Sequence, residues 1–289
     1  MRSAHRSPTV AGMGHHDHDH DHHHDDSSLA DLLDLDAVVL HEYWTGALDW
    51  VRRAAGGDGQ RIVDLGAGTG TGTLLLAHRF DHAEVIAVDA SAEMLHRVRA
   101  KAQDQGLADR ITTVHADLDE RWPVPGPVDL TWASLSLHHL ADPDRVLRDV
   151  HAATRPGGLI AVAEFPVQLR FLPDGAGAAL ESRLLERIGR YQAERLPELG
   201  SDWAARLTAA GFALLDERTF DIDLAPAPSE AADYAALWFG RMRDRLDDLD
   251  PADAAALAGL LDGDGPGTLH RRDDFRVRGT RTVTLARRP

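Results

Sequence analysis

Apolar residues recur along most of the chain with two periods, one typical of helices and one typical of strands. Between Leu29 and Ala55 they recur at helical spacing, which predicts one or two helices. From residue 61 onward, short β-branched runs alternate with amphipathic stretches. Alternation at this spacing predicts βαβ units with right-handed crossovers and a parallel sheet.

The alternating part ends near residue 210. The predicted strands cover 61–65, 84–89, 111–116, 128–133 and 158–164, and the predicted helices cover 71–80, 91–104, 143–154 and 202–210. Asp142 and Pro143 predict an N-cap and a first helical residue. The sequence RPGG at 155–158 predicts a turn that ends the same helix.

The last third of the chain departs from this rhythm. Three more helices are predicted at 179–196, 229–246 and 250–262, and two strands near 212–223 and 279–287. The extra helices are too small to fold alone. We therefore expect them to form a small lid on the sheet.

These patterns divide the chain into seven segments. We predict a disordered His/Asp-rich tail (1–28), an N-terminal helical cap (29–58), a sheet core (59–168), a helical lid segment (169–200), a core helix and strand (201–223), a helical lid insertion (224–278) and a last core strand (279–289). The tail contains only His and Asp between Gly14 and Ser27, so it buries too little apolar surface to offset its ordering entropy. Its imidazoles predict adventitious binding of Ni²⁺ or Zn²⁺.

Composition narrows the classes of partner. The formal net charge is −16, which repels phosphate backbones, so we expect no nucleic acid and no anionic membrane as partner. The chain has no cysteine, which excludes disulfides and thiolate metal sites. It shows no hydrophobic signal core and no apolar run of the ~20 residues that a membrane span needs. These features predict a cytoplasmic protein.

The stretch IVDLGAGTGTGTLLLA (62–77) is the main candidate for chemistry, because glycines occupy alternate positions between a strand and a helix. In open α/β sheets, ligands bind beyond the carboxyl ends of the strands. Glycine there removes a Cβ and permits positive φ. The stretch matches neither the dinucleotide fingerprint G-x-G-x-x-G nor a P-loop, because that spacing and the Gly-Lys-Ser/Thr are missing.

Four ordered motifs resemble those of the class I S-adenosylmethionine-dependent methyltransferases. They are VDLGAGTGTGTLLLA (63–77), VIAVDAS (85–91), HADL (115–118) and the block from VDLTWASLSLHHL to IAVAEF (128–165). The resemblance covers about residues 60 to 165, with a weaker echo in the last two strands. It implies an α/β, Rossmann-like fold with a seven-stranded, mostly parallel sheet and helices on both faces.

The resemblance also implies S-adenosyl-L-methionine as the cofactor and a set of residues that hold it. The glycine turn would approach the methionyl part, Asp64 its amino group and Asp89 both ribose hydroxyls. Met94 and Asp117 would contact adenine, and Tyr43 with Trp44 would close over the methionyl end. The implied cofactor residues are Tyr43, Asp64, Gly66, Ala67, Gly68, Gly70, Asp89, Ala90, Met94, Asp117, Leu118 and Ala133. Gly72 is expected to serve helix–sheet packing, and no metal ligand is expected in this site.

The end of the fourth strand is where this family places acceptor chemistry. The chain has WASLSLHHL (132–140) there and lacks the Asn/Asp-Pro-Pro-aromatic stretch of enzymes that methylate DNA bases or glutamine. We predict His138 and Glu164 as candidate general bases, with His41 a weaker one and His139 a local packing or capping residue.

The acceptor is expected to be a small, partly hydrophobic metabolite. Its apolar pocket would be lined by the lid residues Trp238, Phe239 and Met242, and a carboxylate would be met by one of Arg170, Arg271 and Arg272. The sequence leaves O-, N- and C-methylation and the oligomeric state open. Two alternatives also stay open, a non-catalytic S-adenosylmethionine-binding protein and a metal-handling protein that uses the tail.

Overall fold

The computed structural model describes residues 18–56, 60–246, 249–263 and 265–289. Its strands are β1 (Arg61–Leu65), β2 (Glu84–Asp89), β3 (Ile111–His115), β4 (Val128–Ser134), β5 (Thr154–Glu164), β6 (Ala213–Leu224) and β7 (Val277–Arg287). Its helices are α1 (His18–Val39), α2 (His41–Ala54), α3 (Thr71–Arg79), α4 (Ala92–Asp104), α5 (Pro143–Ala153), α6 (Ala176–Arg195), α7 (Trp203–Ala209), α8 (Ala231–Arg245) and α9 (Pro251–Leu261).

The seven strands form one mixed sheet in the order β3-β2-β1-β4-β5-β7-β6. The first five in this order pair in parallel, whereas β7 runs antiparallel to both of its neighbours. The α/β, Rossmann-like expectation is confirmed. Strand order reverses between β1 and β4, and this is the place where open α/β sheets bind ligands.

Both faces of the sheet are covered by helices. On one face, α2, α3, α6 and α8 contribute buried residues such as Leu48, Leu76, Leu184 and Phe239 to a single large core. On the other face, α5 and α7 pack through residues such as Leu147 against the strands. Because the two cores bury the strands from both sides, β2 contains a continuous apolar run, residues 85–88.

The sequence RPGG does not end a helix by a turn, as predicted, but lies inside β5. Residues 155–157 are exposed, and the register with β4 shifts between Val128 and Leu130. A bulge at a sheet end accommodates Gly157 at φ 79°, and its N–H still donates to the carbonyl of Arg288. The N-cap prediction for the preceding helix is confirmed, because Asp142 Oδ1 accepts from Arg145 N at 2.9 Å.

Helix α1 begins at His18, so the tail predicted as disordered through residue 28 is helical in its last part. The sequence pattern predicts a helix that starts at Leu29. Once such a helix has nucleated, each added residue gains one backbone hydrogen bond, so the His/Asp stretch extends it toward the N-terminus. Residues 1–17 lie outside the described residues. Among the helices of the described ranges, none combines the length and apolar character needed to cross a bilayer.

Asp36 connects α1 to three other elements. Its buried carboxylate accepts from Trp44 Nε1 at 3.0 Å and from Tyr234 Oη at 2.7 Å, and Arg281 Nη2 lies 3.4 Å from Oδ1. These partners belong to α2, α8 and β7. A buried charge needs such partners, since desolvation of an uncompensated carboxylate is costly.

We predict that Asp36→Ala lowers the free energy of unfolding by about 3–5 kcal/mol, because it leaves the buried Arg281 without its counter-charge. The matched control on the same helix is Asp34→Ala. Asp34 pairs with Lys101 and Arg97 at the surface, so its loss should cost less than about 1 kcal/mol. Urea unfolding of both variants checks this. Equal losses in the two variants would contradict the role assigned to Asp36.

Candidate functional site

The predicted glycine turn leaves β1 at the carboxyl edge of the sheet. Gly66, Gly68 and Gly70 all have positive φ, between 52° and 91°. At Gly66 a Cβ would also overlap the side chain of Ser136, whose Oγ donates to the carbonyl of Leu65 at 2.7 Å. The turn therefore needs glycine for its backbone conformation and for the close approach of the segment after β4.

Gly72 serves packing, as its sequence position suggests. A Cβ there would lie 2.8 Å from Trp132 Nε1 and 3.0 Å from Asp64 Oδ2. Helix α3 can therefore sit directly on β1 and β4 only because this position lacks a side chain. Ala67 and Ala133 of the predicted set are also buried, in the turn and in β4.

Asp89 lies at the end of β2 with its carboxylate held by backbone donors. Oδ2 accepts from Gly68 N and Oδ1 from Ser91 N, both at 2.8 Å. Each carboxylate oxygen can accept a further hydrogen bond. The carboxylate of Asp89 is thus oriented beside the glycine turn before any ligand arrives, which suits it to bind a pair of hydroxyls.

The residues predicted to hold an adenine ring lie next to Asp89. Ala90 and Asp117 line a cavity of about 350 Å³. His115 also lines it, and its Nε2 donates to the Ala90 carbonyl at 2.9 Å. Met94 and Leu118 are buried rather than exposed to this cavity. Asp117 Oδ1 accepts from Asp119 N, so its carboxylate also shapes the loop. The structure brings this part of the predicted site together.

Helix α1 lies over the glycine turn. A Cβ on Gly68 would come within 3.1 Å of Leu33 Cδ1. The helix is held there by Arg97 and Lys101 of α4, which pair with Asp31 and Asp34. A ligand at the glycine turn would therefore lie against α1.

His138 and Glu164, the two predicted bases, form a buried pair. His138 Nδ1 lies 2.8 Å from Glu164 Oε2, and the two residues expose 4% and 8% of their surface. His138 lies in a short 3₁₀-helix (Leu137–His139) after β4, and Glu164 ends β5. A carboxylate on Nδ1 fixes the ring orientation and leaves Nε2 to accept a proton. This arrangement is that of an oriented general base.

Unpartnered polar atoms accumulate around this pair. Glu164 Oε1, Tyr43 Oη and Arg281 Nε are buried and have no hydrogen-bond partner among the described residues. Burial raises the pKa of Tyr43, with Arg281 opposing the rise and Asp36 and Glu164 adding to it. The pKa of the Tyr43 phenol therefore depends on the charge of Glu164. Such atoms are expected where a ligand supplies the missing partners.

The predicted lid pocket is not formed by the residues assigned to it. Phe239 and Met242 are buried in the large core, where α8 packs against other helices and the ring of Phe239 lies 6.1 Å from that of Phe171. Trp238 is partly buried against the same core. Of the three candidate arginines, Arg170 borders a cavity, whereas Arg272 is paired with Asp274. Arg271 and the weak candidate base His41 are exposed.

The metal prediction for the tail, between His15 and His24, lies outside the side chains that the structure describes. Within the described residues, no group of three or more His, Asp or Glu side chains is arranged to hold a metal ion.

Sequence reasoning missed Asp36 and Arg281. The signal was present in both cases. Asp36 interrupts the apolar face of α1 between Leu32 and Val39, and Arg281 takes the inward position that Val283 and Leu285 continue along β7. A charge on a face that is otherwise buried indicates a partner of opposite charge.

Comparison with known proteins gives a consistent result. Residues 62–158 match the family model described as a methyltransferase domain. Trans-aconitate 2-methyltransferase of Azoarcus sp. (strain BH72) is 37% identical over 116 residues, which are 40% of this chain and 43% of that protein. The ubiquinone/menaquinone biosynthesis C-methyltransferase of Shewanella frigidimarina (strain NCIMB 400) is 30% identical over 128 residues, 44% of this chain and 50% of that protein. The chain thus spans no more than about half the length of these curated relatives.

A solved structure supports the fold. Phosphoethanolamine N-methyltransferase 2 of Haemonchus contortus, in complex with phosphomonomethylethanolamine and S-adenosylhomocysteine, superimposes with a TM-score of 0.50 at 20% identity. The superposition covers 85% of this chain and 53% of that chain.

Asp64 provides a prediction that does not depend on a ligand. Burial raises its pKa to about 7, with Asp89 adding to the rise and the hydrogen bond from Thr73 Oγ1 at 2.6 Å opposing it. Because the folded pKa lies above the unfolded one, the group stabilises the fold at low pH, and this contribution is lost as pH rises through about 7.

We therefore expect Asp64→Asn to unfold at a higher temperature than the wild type at pH 8 and to match it near pH 4. The difference should grow by up to about 1.4 kcal/mol per pH unit between these limits. Thermal unfolding across this pH range, without ligand, measures it. A difference that does not change with pH would show that Asp64 stays ionised in the fold.

Proposed function

We propose that this chain, which carries a class I S-adenosylmethionine-dependent methyltransferase domain over residues 62–158, methylates a small organic acceptor with His138 and Glu164 as its proton-accepting pair. The observation that carries the proposal is the buried 2.8 Å contact between His138 and Glu164, at the sheet edge that also holds the glycine turn.

The cofactor side is built from the turn and from the ends of β2 and β3. Asp89 would bind the ribose hydroxyls, and the cavity lined by Ala90 and Asp117 would hold adenine. Asp64 would balance the cationic amino group, whose charge favours the ionised carboxylate. S-adenosylmethionine supplies a methyl group activated by its sulfonium, so the protein must chiefly align the acceptor.

The acceptor side is built from β4, β5 and their following segments. Glu164 orients His138 through Nδ1, and Nε2 takes the proton from a hydroxyl or an acidic carbon as the new bond to the methyl carbon forms. S-adenosylmethionine would supply the methyl group and leave as S-adenosylhomocysteine, and His138 would pass the acceptor proton on to water. An amine that is already neutral would need no base.

Two further observations support a small acceptor. The net charge of −16 disfavours nucleic acid and anionic membranes. Helix α6, in the segment between β5 and α7, borders a cavity together with Phe165, the residue that follows β5. We interpret this helix as a lid that limits the size of the acceptor. The two relatives described above differ in their acceptors: one is a trans-aconitate 2-methyltransferase, and the other is a C-methyltransferase of ubiquinone/menaquinone biosynthesis.

The proposed cofactor-binding residues allow us to predict the effects of two substitutions. Asp89→Ala should weaken S-adenosylhomocysteine binding by about 1.5–3 kcal/mol, because a charge-assisted hydrogen-bond pair is lost. Gly68→Val should abolish binding, since its side chain would meet Leu33 and strain a φ of 52°. Glu93→Ala, an exposed acidic residue of α4, is the control and should bind normally. Titration calorimetry with S-adenosylhomocysteine measures these affinities. The absence of a heat of binding with the wild-type protein would overturn the cofactor assignment.

The acceptor half predicts the effect of removing the base. His138→Ala should lower methyl transfer at least ~10²-fold, with unchanged affinity for S-adenosylhomocysteine, because it acts on the acceptor proton alone. Glu164→Gln should have a smaller effect in the same direction, and His139→Ala should stay close to wild type.

The assay is transfer of radiolabelled methyl to a panel of hydroxyl, carboxyl, carbon-acid and amine acceptors. A loss below about tenfold in His138→Ala would mean that alignment alone carries the reaction. Weaker binding of S-adenosylhomocysteine by that variant would instead place His138 in the wall of the cofactor-binding site.

A further inference from the structure

A second cavity, larger than the one beside Asp89, lies between α6 and the segment that follows β5. Its volume is about 860 Å³, toward the upper end of the range of about 300–1,000 Å³ for pockets that hold organic ligands. We name it the α6 cavity. Helix α6 lines it with one face, formed by Ala178, Ser182, Leu185, Gly189 and Gln192. The adjacent face, which includes Leu184 and Ile188, is buried in the core.

The α6 cavity adjoins the proposed acceptor site. Phe165, Pro166 and Gly200 line both it and a neighbouring cavity of about 360 Å³. Glu164 lines that neighbouring cavity. The ring of Phe165 stands 5.8 Å from the ring of His138, in an edge-to-face arrangement. A molecule in the α6 cavity can therefore extend past Phe165 to the His138–Glu164 pair.

The wall of the cavity is mainly apolar near Phe165 and polar at its other end. Val167, which exposes 55% of its surface, lines this end together with Pro166 and Leu185, so an apolar ligand in the cavity would bury it. At the other end, Arg278 Nε is buried and has no hydrogen-bond partner within the described part of the chain. The rest of its guanidinium contacts the Leu172 carbonyl and Asp174, whose side chain is 89% exposed.

Resting on the proposed function, we infer that the α6 cavity binds the body of the methyl acceptor, an amphiphilic organic acid. Its apolar part lies between Phe165, Val167 and Leu185, and its carboxylate accepts from Arg278 at the end away from His138. A compact polycarboxylate would leave most of the apolar wall uncovered. The reacting group and the carboxylate are thus at opposite ends of the acceptor.

Gly189 allows a test that fills the cavity with little risk to the fold. A Cβ at this exposed helical glycine has no other atom within 4 Å, so a side chain there enters open space. Replacement of a helix-interior glycine also removes its low helix propensity. Gly189→Trp is therefore the blocking variant, and Gly189→Ala is the matched variant that leaves the cavity open. Gly259→Trp, at an exposed glycine of α9 with equally free surroundings, controls for an added surface tryptophan.

Two fluorescent probes of nearly the same shape separate the apolar and anionic contacts. 8-Anilinonaphthalene-1-sulfonate carries an anion in place of the carboxylate, and N-phenyl-1-naphthylamine is its uncharged counterpart. Both are titrated into the full chain with S-adenosylhomocysteine in excess. The wild type and both control variants should bind each probe at one site, and Gly189→Trp should weaken both by at least about tenfold, since the apolar contact area is filled.

Arg278→Met should weaken the sulfonate probe by about tenfold, the low end for a charge-assisted hydrogen bond, and leave the neutral probe unchanged. Equal binding of both probes to Gly189→Trp and wild type would overturn the inference. Equal weakening of both probes by Arg278→Met would overturn the carboxylate assignment. S-adenosylhomocysteine binding, measured by calorimetry in every variant, is a separate readout: its absence from the wild type removes the proposed function, whereas its retention with failed probe binding removes only this inference.

Discussion

The close contact between the segment after β4 and the turn after β1 determines the geometry of the whole candidate site. Ser136 donates to the Leu65 carbonyl, and the space its side chain occupies excludes any Cβ at Gly66. This contact exists because strand order reverses between β1 and β4, so that both segments leave the sheet at one edge. The group that would hold the methyl donor and the group that would receive the acceptor proton are therefore fixed relative to each other by backbone packing.

Three buried carboxyl groups lie in this part of the fold, and each has different hydrogen-bond partners. Asp64 accepts a hydrogen bond from the Thr73 hydroxyl, which opposes the rise of its pKa, but burial still raises that pKa to about 7. Asp36 has a tryptophan, a tyrosine and an arginine. Glu164 has one oxygen on His138 and one without a partner in the described structure. Polar groups buried in an otherwise apolar core are expected at functional sites. Here they lie close to the sequence motifs of the candidate site.

Periodicity and turn chemistry predicted most of the fold because they are local. The apolar runs of β1, β2 and β4 and the Asp142 cap carry their own signals in a few neighbouring residues. The prediction for RPGG was wrong because a glycine-rich bulge and a helix-ending turn have the same local composition. The strand pairing that distinguishes them involves residues distant in sequence.

The residues of the candidate site could be predicted from local sequence, but the contacts between them could not. His138 and Glu164 were predicted separately from strand ends, but their hydrogen bond depends on the parallel pairing of β4 and β5. The contact of Asp36 with Arg281 joins residues 245 positions apart, which no local pattern encodes. Phe239 and Met242 were assigned to a pocket because an amphipathic helix shows which residues are apolar and not whether they meet a core or a cavity.

The position of β7 has a consequence for how the molecule reaches its native state. This strand inserts between β5 and β6, although β6 precedes it in the chain and is separated from it by α8 and α9. Until β7 is in position, β6 lacks the neighbour with which it pairs, and α1 lacks the arginine that Asp36 contacts. Pairings of such sequence separation carry a large loop-closure entropy and slow the folding of a chain. During synthesis, the strands β1 to β5 can assemble first, with the edge of β5 open until β7 closes the sheet.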